Sequence, residues 1–207
     1  MCFSAQASFA AGIGLSIIGL LSLKKNRIKK LKPLAAIPLF FGIQQLCEGM
    51  VWITHAQPAL ATQNQLARYA FLFFAYVVWP VWMPFTIYMI ETNRKKRLYL
   101  AGFIGAGTII SGTLLWALLK VGATSAITCN HVEYAFNMPR PLEPIGLVWY
   151  CITVIAPFFI TAKKELRQLG VLIVISVLLS YIFYYAHLTS VWCFFAALLS
   201  AIIYKML

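Results

Sequence analysis

Acidic side chains are nearly missing from this chain. Of 207 residues only five are acidic, all glutamates at positions 48, 91, 133, 143 and 165, and charged residues of both signs make up only 11 %. Soluble domains carry about 25 % charged residues, so a water-facing surface cannot be assembled from what is here. Also missing is any Gly-rich phosphate loop of Walker or dinucleotide type, which argues against a nucleotide-driven pump. No basic residue precedes the first apolar run, and its Lys/Arg cluster follows it instead. That order is unlike a cleavable signal peptide, so the run is expected to stay in a membrane and send the N-terminus outward.

What is abundant is apolar: 62 % of positions, with a mean hydropathy of +0.83. A helix needs about 20 mostly apolar residues to cross about 30 Å of hydrocarbon. On that ruler the chain reads as a single all-α domain, 1–207, a polytopic integral membrane bundle of about seven transmembrane helices. The expected spans run Ala5 to Leu23, Pro33 to Thr54, Ala67 to Glu91, Leu98 to Leu119, Pro144 to Ala162, Leu169 to His187 and Ser190 to Leu207.

The formal net charge of +12 comes from clusters set between apolar runs, not from one polar face. This is the pattern of topology and not of nucleic-acid binding. Lys24, Lys25, Arg27, Lys29, Lys30 and Lys32 lie in one connection, Arg94 to Arg97 in the next alternate one, Lys163, Lys164 and Arg167 in the third, and Lys205 at the end. Fourteen of the seventeen basic residues thus fall on one side, leaving Arg68, Lys120 and Arg140 opposite. Because cytoplasmic loops hold the Lys/Arg excess, the N-terminus is expected outside and the C-terminus in the cytoplasm. The outer side then has a long loop, Lys120 to Glu143, and a shorter one, His55 to Leu66.

Small residues four apart (Ala10 with Gly14, Gly12 with Ser16) and the group Gly102, Gly105, Gly107 suit close helix packing. Pro80 and Pro84 fall inside the third span and must kink it. A packed kink is the plainer reading, and a broken helix lining a cavity is the functional one.

Glu48 breaks the apolar rule inside the second span, where an ionisable group is costly and marks a functional site by default. Gln44 and Gln45 lie one turn deeper on nearby faces, and Trp52 and His55 lie four and seven residues further out. At 1.5 Å per residue His55 is about 10 Å above Glu48. One side of this helix therefore carries amide, carboxylate, indole and imidazole from mid-depth outward. The structural alternative is a protonated Glu48 bonded to a neighbouring helix.

All three histidines, His55, His131 and His187, map to the outer side. Cys2 lies on the outer tail, Cys129 precedes Asn130-His131, and Cys193 opens the last span, while Cys47 and Cys151 are intramembrane. Imidazole and thiolate are ligands for zinc and copper, so Cys2, His55, Cys129, His131 and His187 form a candidate metal set, with Glu48 below it. A Cys2–Cys129 disulfide is the competing use of those thiols. With the initiator Met removed, Cys2 would offer amine and thiolate together as a chelate.

Three segments, Met1-Cys2-Phe3-Ser4-Ala5-Gln6-Ala7-Ser8-Phe9, the stretch Ile37 to Gly49 containing Gln44-Gln45-Leu46-Cys47-Glu48-Gly49, and Ser190-Val191-Trp192-Cys193-Phe194-Phe195, resemble an uncharacterised family of bacterial multi-pass membrane proteins. The resemblance implies a bacterial inner-membrane location and singles out Cys2, Gln44, Gln45 and Glu48 as parts of its motifs. Microbial rhodopsins fit poorly, since the last span lacks a mid-helix lysine, and so do ceramidase-like hydrolases, since that span lacks paired histidines.

Three functions remain open. The first is an outward-facing zinc or copper site used for metal handling or for hydrolysis of a lipid-derived substrate. In it Glu48 is the catalytic base, Gln44 and Gln45 bind, and metal-bound water attacks. The second is a small transporter or proton-linked channel titrating at Glu48, with the Pro80/Pro84 break as gate. The third is a structural or assembly subunit of a membrane complex. The lipid bilayer is the expected partner in all three, a homo-oligomer is compatible with each, and none involves nucleic acid. The charge split predicts that reporter fusions after Lys30, Lys96 and Arg167 read cytoplasmic and those near Gln63 and Asn130 read external; one robust reversal would break the seven-span topology.

Overall fold

The computed structural model describes residues 4–128, 130–136 and 143–207. In chain order they form α1 (Ala5–Lys25), α2 (Lys32–Thr54), α3 (Ala61–Phe73), α4 (Trp79–Ile90), α5 (Arg94–Lys120), β1 (Ala123–Thr128), β2 (His131–Phe136), α6 (Glu143–Ile155), α7 (Pro157–Ile160), α8 (Lys164–Phe183), α9 (Leu188–Ser200) and α10 (Ile203–Met206). A π-helical turn, Phe74–Val78, joins α3 to α4 without a break. Among the described residues six helical stretches are long and apolar enough to cross a membrane: Ala5–Lys25, Lys29–Thr54, Pro58–Ile90, Arg94–Lys120, Lys164–Phe183 and Tyr185–Met206.

The expected fifth span is helical from Glu143 to Ile160 but interrupted. Gly146–Ile160 is apolar, but Pro157 has no N–H to continue the helix, and α6 hands over there to a single turn, α7. The long outer loop is also not all loop. It holds an antiparallel hairpin with Ala123 opposite Phe136 and Thr128 opposite His131. Asn130 in its tight turn has φ of 59°, a left-handed conformation that Asn tolerates better than most residues.

Helices α1 and α2 run antiparallel and approach closely. A methyl group placed on Gly42 would lie 2.5 Å from Ser16 Oγ, and one on Gly12 would lie 2.8 Å from the Leu46 side chain. The Gly12/Ser16 pair thus serves packing as its spacing suggests. Gly14, Gly102 and Gly105 instead face open space. Below Gly42 the core gathers around Ile37, Phe41, Trp79, Met83, Tyr150, Phe158 and Trp192, with Phe41 stacked on Trp79 at 4.0 Å between ring centroids.

Pro80 produces a packed kink. In the π-helical turn the Trp79 N–H bonds Phe74 O, and the next acceptor in that register, Ala75 O, would need an N–H that Pro80 lacks. The Tyr150 hydroxyl donates to Ala75 O instead, at 2.5 Å. Ser111 Oγ donates to Val77 O at 2.8 Å. The Pro80 carbonyl itself presses against Gly107 of α5, where any side-chain carbon would collide with it.

The hairpin sits on a second apolar cluster that includes Val51, Phe71, Leu72, Leu118, Val132 and Tyr134. Phe71 and Tyr134 stack at 4.8 Å. Arg68 ties the hairpin to α3 through hydrogen bonds to Ser125 Oγ and Asn64 Oδ1, both at 3.3 Å. At the opposite end, Lys25 Nζ donates to Tyr204 O and the α4–α5 corner is closed by Glu91. Its Oε1 accepts the N–H groups of Thr92 and Asn93, each at 2.9 Å. Burial pushes this carboxyl up, but the Asn93 and Thr92 amides, the Thr161 hydroxyl and nearby Lys96 outweigh it and hold it below its ordinary range.

The Gly107–Pro80 contact is backbone against backbone and cannot be relieved by a rotamer change. Gly107→Ala is expected to destabilise the protein in detergent by about 1–3 kcal/mol, read as a lowered midpoint of thermal unfolding, whereas Gly105→Ala should be neutral or slightly stabilising. Equal effects at the two positions would contradict this packing.

Candidate functional site

The polar residues expected on α2 are buried: Gln44, Gln45 and Glu48 each have 0 % exposed surface. They form one patch because positions 44, 45 and 48 share a helix face, and that face turns toward α4 and α9. Glu48 lies roughly 9 Å along the axis from the end of α2 at Thr54, counting 1.5 Å per residue. Its Oε1 accepts a hydrogen bond from Ser190 Oγ, in the first turn of α9, at 2.5 Å. Gln44 Oε1 accepts from Trp79 Nε1 at 2.8 Å. The buried thiol of Cys193 stands beside both Glu48 and Gln44.

Several polar atoms of this patch have no hydrogen-bond partner among the described residues: both amide atoms of Gln45, Nε2 of Gln44, and the indole N–H groups of Trp52 and Trp192. Buried polar groups are paired in the great majority of cases, and leaving one unpaired costs about 1–3 kcal/mol. These atoms lie on α2 and on the helices packed against it, close in sequence or contact to the Glu48 carboxyl. Below it the character changes. Trp79, Tyr150, Trp192 and Cys193 also line an apolar cavity of about 30 Å³ closed by Phe41, Phe158 and Ile173.

Above the patch, polar contacts continue to the hairpin. Thr189, next to Ser190, pairs its hydroxyl with Tyr76 at 2.8 Å. His187, which precedes α9, pairs Nε2 with Thr128 Oγ1 at the end of β1, also at 2.8 Å. His131 opens β2 and is 9 % exposed. Its ring centroid lies 4.9 Å from that of His187 and 4.9 Å from that of Tyr184. The hairpin therefore covers the end of the column that begins at Glu48.

The five expected metal ligands fare differently. His131 and His187 come together. His55 caps α2 and is exposed, and it does not join them. Cys2 and Cys129 lie outside the described residues. Among the described residues no group of three or more His, Cys, Asp or Glu side chains is placed to hold an ion. Cys47, Cys151 and Cys193 are free thiols.

Sequence reasoning missed four residues that make these contacts: Ser190, Trp79, Tyr76 and Thr189. The one available signal was that Ser190 and Cys193 belong to the third of the segments that carry the family resemblance. Nothing in the sequence ties Trp79 to Gln44, 35 residues away. No curated protein and no solved structure matches the chain. A model of a family of unknown function, DUF6629, matches residues 1–207, and the chain belongs to that family.

Proposed function

We propose that this is a multi-pass protein of the bacterial inner membrane, with its hairpin end outside and its basic end in the cytoplasm, in which Glu48 takes up and releases a proton as the centre of a small transporter or proton-linked channel. The observation that carries the reading is the Glu48 carboxylate, fully buried in the outer half of a membrane-length helix and met by Ser190 Oγ. An ionisable group at such depth is costly and is retained where its ionisation is used.

The surroundings suit that role. From Glu48 the polar groups lead toward the hairpin through Ser190, Thr189 with Tyr76, and His187 with Thr128. In the other direction they end at the Trp79–Phe41 stack and the apolar cavity. Exchange with the outer side is thus short, and passage inward requires a movement at the α4 break. Gln44 and Gln45 act as binding residues beside the carboxylate, Gln44 held in orientation by the Trp79 indole.

Glu48→Gln preserves shape and most hydrogen bonding while removing the titration. It should fold with an unchanged thermal midpoint and lose ion or proton flux in liposomes by about tenfold or more. It should also lack one carboxyl band in the infrared pH titration of the wild type. Unchanged flux together with an unchanged infrared titration would reduce Glu48 to packing and favour the structural-subunit reading.

The approach of the His131 and His187 rings to 4.9 Å favours a second reading, in which zinc or copper binds at the hairpin end for metal handling or metal-assisted hydrolysis of a lipid-derived substrate. Protein purified without a polyhistidine tag would then carry near-stoichiometric metal, reduced by His131→Ala and by His187→Ala but not by His55→Ala. Metal-free protein that binds neither ion on titration would end that reading.

A further inference from the structure

The basic end of the bundle holds a groove with its own chemistry, at the corner between α4 and α5. It is lined by Tyr88 and Thr92 from the α4 side and by Arg94, Lys95, Arg97 and Leu98 from α5. Four consecutive cations, Arg94 to Arg97, occupy the first turn of a 27-residue helix. That turn is the positive end of the helix dipole, where cations are disfavoured and anions favoured. Local acid does not relieve the conflict. Glu91 is the nearest carboxylate in the sequence, and it is already engaged by the Thr92 and Asn93 amides, by Thr161 and by Lys96.

Nor is this a bare helix end. The Asn93 side chain caps α5 by accepting from the Lys95 and Lys96 amides at 3.0 and 3.2 Å, so the donors left facing the groove are side chains. Arg97 is fixed over the Tyr88 ring at 4.4 Å, and its buried Nε has no hydrogen-bond partner among the described residues. Fixing a guanidinium by stacking leaves its fork of N–H groups preorganised for a planar or tetrahedral oxyanion. Immediately beyond the cations the surface becomes apolar and open. Leu98 is 74 % and Tyr99 66 % exposed, and Gly102 and Gly105 leave open space alongside.

A cationic pocket that hands over to an apolar helix face within one turn matches an amphiphile with an anionic head. We propose that the α4–α5 corner binds an anionic glycerophospholipid, with Arg94 and Arg97 on the phosphate, Thr92 and Tyr88 hydrogen-bonding the polar head, and the acyl chains along Leu98, Tyr99 and the open glycine face of α5. The proposal rests on the reading that the chain spans a membrane. It is independent of what Glu48 does.

The test is native mass spectrometry of the full chain from detergent micelles supplied with equal amounts of phosphatidylglycerol and phosphatidylcholine. The wild type should retain phosphatidylglycerol selectively. Since a surface cation near an anionic lipid contributes roughly fivefold, Arg94→Gln/Arg97→Gln should lower that retention about twentyfold. Lys29→Gln/Lys30→Gln, an equal loss of charge elsewhere on the same end, should stay within about twofold. Should the double variant misfold, Arg94→Gln alone, at an exposed position, should still show roughly a fivefold loss. Equal retention of both lipids, retention unchanged in the Arg94 and Arg97 variants, or an equal loss in the Lys29/Lys30 variant would overturn the site. Inorganic phosphate that binds the delipidated protein and is not displaced by phosphatidylglycerol would do so too, by making the ligand the free anion. A chain that stays dispersed without detergent would instead defeat the membrane reading itself.

Discussion

The hydrogen bond from Ser190 to Glu48 joins two helices 142 residues apart in sequence, and much of the rest is arranged around the cost of burying that carboxylate. A charged or neutral carboxyl removed from water must recover its solvation from fixed partners, and few partners are on offer in a chain with this composition. The bundle brings α9 against α2 so that Ser190 and Cys193 face position 48, and it brings α4 so that Trp79 faces position 44. Another face of α2 makes glycine-mediated contact with α1, and its outer end is tied to α3 by Asn64. Close approach on one side and polar contact on the other is what a helix with 61 % of its apolar window buried inside the protein must manage.

A second constraint is satisfaction of the backbone, and it explains why the proline-rich segment Trp79 to Pro84 is not an opening. Away from water an unpaired carbonyl is as costly as an unpaired side chain, so freed backbone groups survive only where something meets them. Here the Tyr150 hydroxyl meets Ala75 O and Ser111 meets Val77 O, while Pro80 O is sealed against Gly107. The same Tyr150 ring lies edge-on to Trp192 and Tyr76, which links the kink to the floor of the polar column. Any movement that opens the kink would therefore disturb the groups below Glu48 as well.

What could be read from the sequence, and what could not, follows from the range of the interactions. Span positions were legible because hydrocarbon thickness fixes helix length; α1, α2 and α5 start and end within a few residues of the expected limits. Glu48 was legible as an exception to composition, and Gln44 and Gln45 by their spacing from it. Ser190, Trp79 and Tyr76 were not, because their roles come from partners on other helices. The hairpin was hidden by its length: two six-residue strands between membrane-length helices read as an ordinary loop. His55 was grouped with His131 and His187 because all three share one side of the bundle, but a shared side spans several helix diameters, and among the described histidines it is those of the hairpin and the α8–α9 turn that meet there.

The two ends of the molecule resolve the shortage of acids in opposite ways. At the hairpin end the Glu48 carboxyl is buried and accepts a hydrogen bond from the Ser190 hydroxyl, which returns part of the solvation it has lost. At the other end cations stand in excess, the adjacent carboxylate Glu91 is tied to backbone amides, and compensation is left to whatever lies outside the protein. The partner that the bundle brings to Glu48 from α9 is the Ser190 hydroxyl, and a hydroxyl accommodates both forms of a carboxyl, donating to the carboxylate and reversing that hydrogen bond when a proton arrives.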